Sequence, residues 1–195
     1  MAIRQVHFKG GKTDGKGGAI SVSGGDLTLE SCIFSDNSAS RGSVINHEGY
    51  GILKISGCTF YKNSSNAVFS DSNSFNFYLF GNLFYDNPSP IISYSGTLYG
   101  GTFYNVIDIP YGTGNGQSGW VWTDTSSDTT FNLPDGLYID DDPPFNQETF
   151  VPVSAPALRI IPTKDSWPQG FDFPATDFYG KDRVWPGVPG AVNAP

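Results

Sequence analysis

Positive charge, cysteine, histidine and methionine are all scarce in this chain of 195 residues. Eleven Lys and Arg stand against 19 Asp and Glu, a net charge of −8. Phosphate backbones are held by clustered cations, so nucleic acid and anionic membrane surfaces are poor partners, and a neutral or cationic ligand is easier to accommodate. Nowhere do 18 apolar residues run together, so no helix is expected to span a membrane. The opening MAIRQVHF lacks the apolar stretch and small-residue cleavage site of a secretory leader. Two histidines, His7 and His47, and two cysteines, Cys32 and Cys58, give poor support to zinc or triad chemistry. Nucleophile elbow, Walker loop, HExxH, EF-hand loop and dinucleotide fingerprint are all missing.

What is abundant is turn and ring. Twenty-four Gly, 14 Pro and 15% aromatic residues, with one Met and only 15% charge, describe a turn-rich all-β chain. One phrase is written three times between Leu27 and Asn87: LTLESCIFSDNSA, LKISGCTFYKNSS and FYLFGNLFYDNPS. Its anchoring phenylalanines, Phe34, Phe60 and Phe84, are 26 and 24 residues apart. Units of this period cannot bury their apolar face alone and must stack on copies of themselves.

The phrase extends to Ile3–Phe8, 26 residues upstream, and to Leu98–Phe103, 19 residues downstream. Aligned on phenylalanine, the columns read Ile3, Leu29, Ile55, Leu79, Leu98; then Val6, Cys32, Cys58, Asn82, Gly101; then Phe8, Phe34, Phe60, Phe84, Phe103. Alternation within a rung is that of a strand, with a corner near Glu30-Ser31 and Ser56-Gly57. The expected fold is all-β: a right-handed parallel β-helix with coils of 24 to 26 residues stacking about 4.8 Å apart. Second strands follow at Ala19–Val22, Ser43–Ile45, Ala67–Phe69 and Pro90–Ile92.

Asn37, Asn63 and Asn87 each lie three residues past a phenylalanine, where amides at a corner can form a ladder. Cys32 and Cys58 share a core column, within disulfide range, but their parallel side-chain vectors favour a reduced pair of small buried hydrophobes. The chain starts inside a rung without a cap, which suggests a piece of a longer protein, or a cap supplied by association. An open edge there would recruit another strand, so self-association is expected.

Gly17-Gly18-Ala19-Ile20 together with Phe34–Asn37, Phe60–Asn63 and Phe84–Asn87 resembles the GGA(I/L/V) and FxxN repeats of polymorphic outer-membrane proteins, and the wider pectate-lyase-like β-helix superfamily. The likeness covers residues 1–109. It implies a secreted or surface location, and its enzymes are mostly polysaccharide lyases and glycosidases.

After Pro110 the period fails, so residues 110–195 are expected to form irregular coils and a capping tail packed on the solenoid. Ser154–Leu158, then Thr176–Arg183, then Gly190-Ala191-Val192 resemble the carboxy-terminal signature of secreted bacterial β-helix proteins, with Asn193 where an acid often follows. Asp177 and Arg183 flank a turn around Gly180, placed to pair and pin the tail onto the last coil.

Three candidate sites remain. Asp36 and Asp86 share a column two coils apart with Lys62 between them, about 9 to 10 Å by strand spacing, near the upper limit for an inverting glycosidase pair; the same residues also suit a solvated Asp-Lys-Asp corner. Asp140, Asp141 and Asp142 could offer oxygens to Ca²⁺, or simply form an acidic loop; no other cofactor or metal is expected. Tyr61, Tyr85 and Tyr104 fall in one outward column beside Lys62, either a track for sugar rings or a second core beneath a tail bearing Trp120, Trp122, Trp167 and Trp185. The first functional expectation is a secreted or surface module that binds glycans without catalysis. The alternatives are a glycoside hydrolase or polysaccharide lyase, and a structural stalk.

Overall fold

The structure, a computed structural model, describes residues 1–70, 74–88, 92–94, 97–107, 121–123, 132–138, 143–153, 161–167 and 172–193. They form a parallel β-solenoid whose coils stack in register. The first coil contributes β1 (Ala2–Arg4), β2 (His7–Lys9) and β3 (Ile20–Val22). The second contributes β4 (Leu27–Glu30), β5 (Ile33–Ser35) and β6 (Ile45–His47). The third has β7 (Ile52–Ser56), β8 (Thr59–Tyr61) and β9 (Val68–Ser70), and the fourth β10 (Ser74–Phe80), β11 (Leu83–Tyr85) and β12 (Ile92–Tyr94). Then come β13 (Thr97–Ile107), β14 (Val121–Thr123) and β15 (Asn132–Tyr138).

Three faces result. Face one is β1-β4-β7-β10, face two is β2-β5-β8-β11, and β13 runs along both and pairs with β15. Face three is β3-β6-β9-β12-β14. Helix is confined to one short turn, Lys164–Ser166, among the described residues.

The corners are set by left-handed backbone. Gln5, Ser31, Gly57 and Gly81, with φ of 55, 49, 57 and 60°, turn the chain from face one to face two. Gly10, Asp36, Lys62 and Asp86 turn it off face two, with φ of 68, 57, 53 and 54°. Glycine adopts this region freely and most other residues at a cost, so the corners are costly wherever a side chain is kept. The GGAI phrase has the same origin: Gly17 has φ +75°, and a Cβ there would lie 2.5 Å from the Ile20 carbonyl oxygen.

Inside, identical residues stack. The Phe8, Phe34, Phe60 and Phe84 rings lie near-parallel with centroids 5.2, 4.9 and 4.5 Å apart. Leu27, Leu29, Leu53, Ile55, Phe77 and Leu79 complete the buried wall of face one, and Ile20, Ile45 and Val68 that of face three. The asparagine ladder is present: Asn37 Nδ2 donates to Asn63 Oδ1 at 3.0 Å and Asn63 Nδ2 to Asn87 Oδ1 at 2.9 Å. All three are buried, and each also donates to a carbonyl of the preceding coil, Phe8, Phe34 and Phe60 respectively.

The fifth rung is displaced from the expected alignment. Phe103 pairs with Phe80, not Phe84, whose partner is Ile107. The cysteine column continues through Asn82 to Asn105, and the Ile55 column through Leu79 to Thr102, so Leu98 and Gly101 leave the columns assigned to them. A step of 19 residues would leave too little chain to complete a coil that elsewhere takes 23 to 26. Backbone circumference therefore overrides the likeness of the phrase, and Phe103 packs against Phe80, Ile161 and Phe173 outside the main core.

Candidate functional site

Beyond β15 the chain returns over the solenoid. Outward residues of face two, Ile33, Leu83 and Val106, are buried against Phe145, Phe150, Val188, Ala191 and Val192, making a second core between coil and tail. Tyr61 is only 5% exposed, edge-on to Phe145 at 5.3 Å and Phe150 at 6.2 Å, and its hydroxyl donates to Gln147 Oε1. Tyr85 meets Phe145 edge-on at 6.0 Å. Tyr104 is elsewhere, at the other corner with φ 52° and 5.7 Å from the Phe80 ring. Of the two readings open for this column, the second core beneath the tail holds for Tyr61 and Tyr85, and no track of three exposed tyrosines forms. Two members lie under the tail and the third belongs to another column because of the shifted fifth rung. Trp167 and Trp185 cover Phe80 and Phe173, the cluster against which Tyr104 also packs, and not Tyr61 or Tyr85; Trp120 lies outside the described residues.

Asp36, Lys62 and Asp86 do align at the second corner: the Asp36 N–H donates to the Tyr61 carbonyl at 3.1 Å and the Lys62 N–H to that of Tyr85 at 3.3 Å. All three are exposed. Lys62 Nζ lies 5.0 Å over the Tyr61 ring, and Tyr61, then Asp86 and Asp36, raise its pKa. A general acid for glycoside cleavage is held protonated by apolar enclosure. Two exposed carboxylates with an ammonium between them have the opposite surroundings. Asp140, Asp141 and Asp142 lie outside the described residues, among which no cluster of three or more His, Cys, Asp or Glu is placed to hold a metal ion.

Asp177 and Arg183 both fix the tail, by separate means. Asp177 is fully buried, and its Oδ1 accepts the N–H groups of Tyr179 and Lys181 at 2.9 Å each, its Oδ2 that of Asn193 at 3.1 Å. Arg183 donates to the carbonyls of Gly190 and Ala191 at 2.9 and 3.2 Å, and to Ser31 Oγ at 3.3 Å, while its guanidinium lies 4.8 Å over Phe173. Burial lowers its pKa to about 10, opposed by Asp177 and Cys58. The expected direct pair is thus replaced by a carboxylate that closes a turn and a guanidinium that ties the turn to the second coil. Gln5 Nε2, donating to the Asp177 carbonyl at 2.7 Å, and Ser31 Oγ, donating to that of Thr176 at 2.7 Å, extend the strap along the first corner.

With face two covered, face one offers an open surface beside the tyrosine column. Parallel pairing sets Ala2, Thr28, Lys54 and Tyr78 in one outward column, and Arg4, Glu30, Ser56 and Phe80 in the next. They line a groove of about 260 Å³, closed on one side by Asp172 of the strap. Lys54 Nζ lies 5.8 Å over the Tyr78 ring, and the ion pair of Arg4 and Glu30 forms the wall shared with a second hollow of about 290 Å³ against Pro174, Ala175 and Thr176. Tyr99, further along the face, is 41% exposed. The sequence carries a signal, since Tyr78 follows Lys54 by one coil of 24 residues, but only the tail's path shows which outward column stays free. Compared with known protein families, curated proteins and solved structures, the chain matches none.

Proposed function

We propose that this chain is a non-catalytic β-solenoid module that binds glycans, displayed outside the cell, with its contact surface on face one. The observation that carries this is the groove of Thr28, Glu30, Lys54 and Tyr78, left open where the tail covers face two. An aromatic floor with a few hydrogen-bonding side chains suits a sugar, whose apolar face stacks while its hydroxyls are bonded at the edges. Surface display is supported by the likeness of the GGAI and FxxN phrases to outer-membrane and secreted β-helix proteins.

A glycan array run beside reducing-sugar release from a polysaccharide panel tests the proposal. Binding without release, weakened at least about tenfold by Tyr78→Ala and unchanged by Lys62→Ala, is the expected result. Release of reducing ends would favour a hydrolase or lyase instead, and silence in both assays a structural stalk.

A further inference from the structure

Phe69 faces outward on face three, next to Asn46 in the column that begins with Ser21, yet it is only 1% exposed. Lys16 Nζ lies 5.0 Å and the Arg41 guanidinium 5.1 Å from the centre of its ring. Both cations sit on the loops that join face two to face three. The backbone sets them side by side, in a parallel bridge where the Gly17 N–H donates to the Arg41 carbonyl at 3.1 Å. Gly42 seats the second loop on the ring, since its φ is +57° and an added Cβ would lie 3.0 Å from Phe69 Cβ. Ser65 is the third-coil counterpart of Arg41, because the Ser43 N–H donates to the Asn66 carbonyl as that of Gly18 does to Gly42. Its Oγ is buried and has no hydrogen-bond partner among the described residues.

Like charges one strand spacing apart repel, so such a pair calls for negative charge nearby. Glu48 supplies it to Lys16, whose Nζ donates to Glu48 Oε1 at 2.9 Å. Arg41 is exposed, and among the described residues its guanidinium meets the Phe69 ring and no carboxylate. A guanidinium resting on a ring uses its face for that contact and keeps its in-plane N–H fork for an oxyanion. We propose that this ledge binds one oxyanion group, a sulfate ester or a carboxylate, in the Arg41 fork, with the Ser65 hydroxyl as a further donor. The net charge of −8 disfavours a long polyanion but not a single oxyanion at Arg41, because screening confines each field to about 8 Å at physiological salt. The ledge is separate from the groove on face one and does not depend on what that groove binds.

Nuclear magnetic resonance titration of the full chain with glucose, glucuronate and glucose 6-sulfate tests this, with probes that share a ring and differ in the oxyanion. Glucuronate, glucose 6-sulfate or both should shift the amides of Arg41, Gly42 and Ser65 saturably, the tighter of the two naming the oxyanion, while glucose leaves them in place. Arg41→Gln should weaken this binding at least about tenfold, and Arg41→Lys, which keeps the charge but not the fork, nearly as much. Lys181→Gln, which removes the same charge from the tail, should leave it unchanged. The proposal is overturned if glucose shifts these amides equally or neither acid shifts them. It is also overturned if Arg41→Lys binds as tightly as the parent, or if Lys181→Gln loses as much as Arg41→Gln, which marks diffuse attraction. Shifts at Lys54 and Tyr78 report the face-one groove in the same spectra, so failure at one site is read apart from failure at the other.

Discussion

The sulfur of Cys58 accepts the backbone N–H of Cys32 at 3.4 Å, in the position where the next coil has an asparagine oxygen: Asn82 Oδ1 accepts the Cys58 N–H at 2.9 Å, and Asn105 Oδ1 that of Asn82 at 2.8 Å. Both cysteines are free thiols, fully buried. The column is one polar ladder in which sulfur serves as the acceptor in the early coils and amide oxygen in the later ones.

Cys58→Asn should therefore be tolerated, within about 1 kcal/mol of the parent, because the new amide can take the Cys32 N–H and reach Asn82. Asn63→Ala should instead cost about 2 to 4 kcal/mol, since it strands buried partners on Asn37, Asn87 and Phe34 together. Urea unfolding of the two variants compares them, and equal losses would deny the ladder its role.

The ring stack makes a second contrast. Phe60→Ala removes a fully buried ring that touches Phe34 and Phe84, and should cost about 3 to 5 kcal/mol. Phe103→Ala, outside the stack and only partly buried, should cost less than half of that. Comparable midpoint shifts for the two would contradict the register of the fifth rung.

Gly81 sits where the strap crosses the first corner. Its φ is +60°, and an added Cβ would lie 2.3 Å from the Phe173 ring and 2.6 Å from Ile161. Gly81→Ala should loosen the tail before it unfolds the coils, so limited proteolysis should cut within residues 161–193 at an enzyme dose that leaves the parent whole. Protection equal to the parent's would show that the strap does not depend on this notch.

His7 offers a pH test. Its Nε2 lies 2.9 Å from Ser35 Oγ and its ring meets Phe150 edge-on at 5.4 Å. Burial, then Lys9, lowers its pKa below the usual 6.5, against a smaller opposing pull from Asp36. The unfolded chain therefore takes up a proton first as pH falls. The stabilisation is present above pH 6.5 and is lost as pH drops through the folded-state value. Nuclear magnetic resonance should find the His7 ring titrating below 6.5, and His7→Gln should flatten the stability profile over that acid range. A midpoint at or above 6.5 would deny the ring its partial desolvation against Phe150 and Phe178.

The sequence by itself determined what recurs with the coil. Phe8 to Phe84, the Ile3 to Leu79 column, the adjacency of Cys32 and Cys58, and the Asn37–Asn63–Asn87 ladder were all legible because each residue's main neighbour is its own copy one period away. Even the displaced fifth rung left a sign, since Asn105 follows Asn82 by 23 residues, close to the coil length, where Phe103 follows Phe84 by only 19. The tertiary structure alone decided which outward columns are buried. Tyr61 and Tyr78 look alike in the sequence, each a tyrosine on an outward position. One lies beneath Phe145 and Phe150 and the other lines an open groove, because a non-repeating tail docks by shape and by single contacts such as Arg183 to Ser31, which no period encodes.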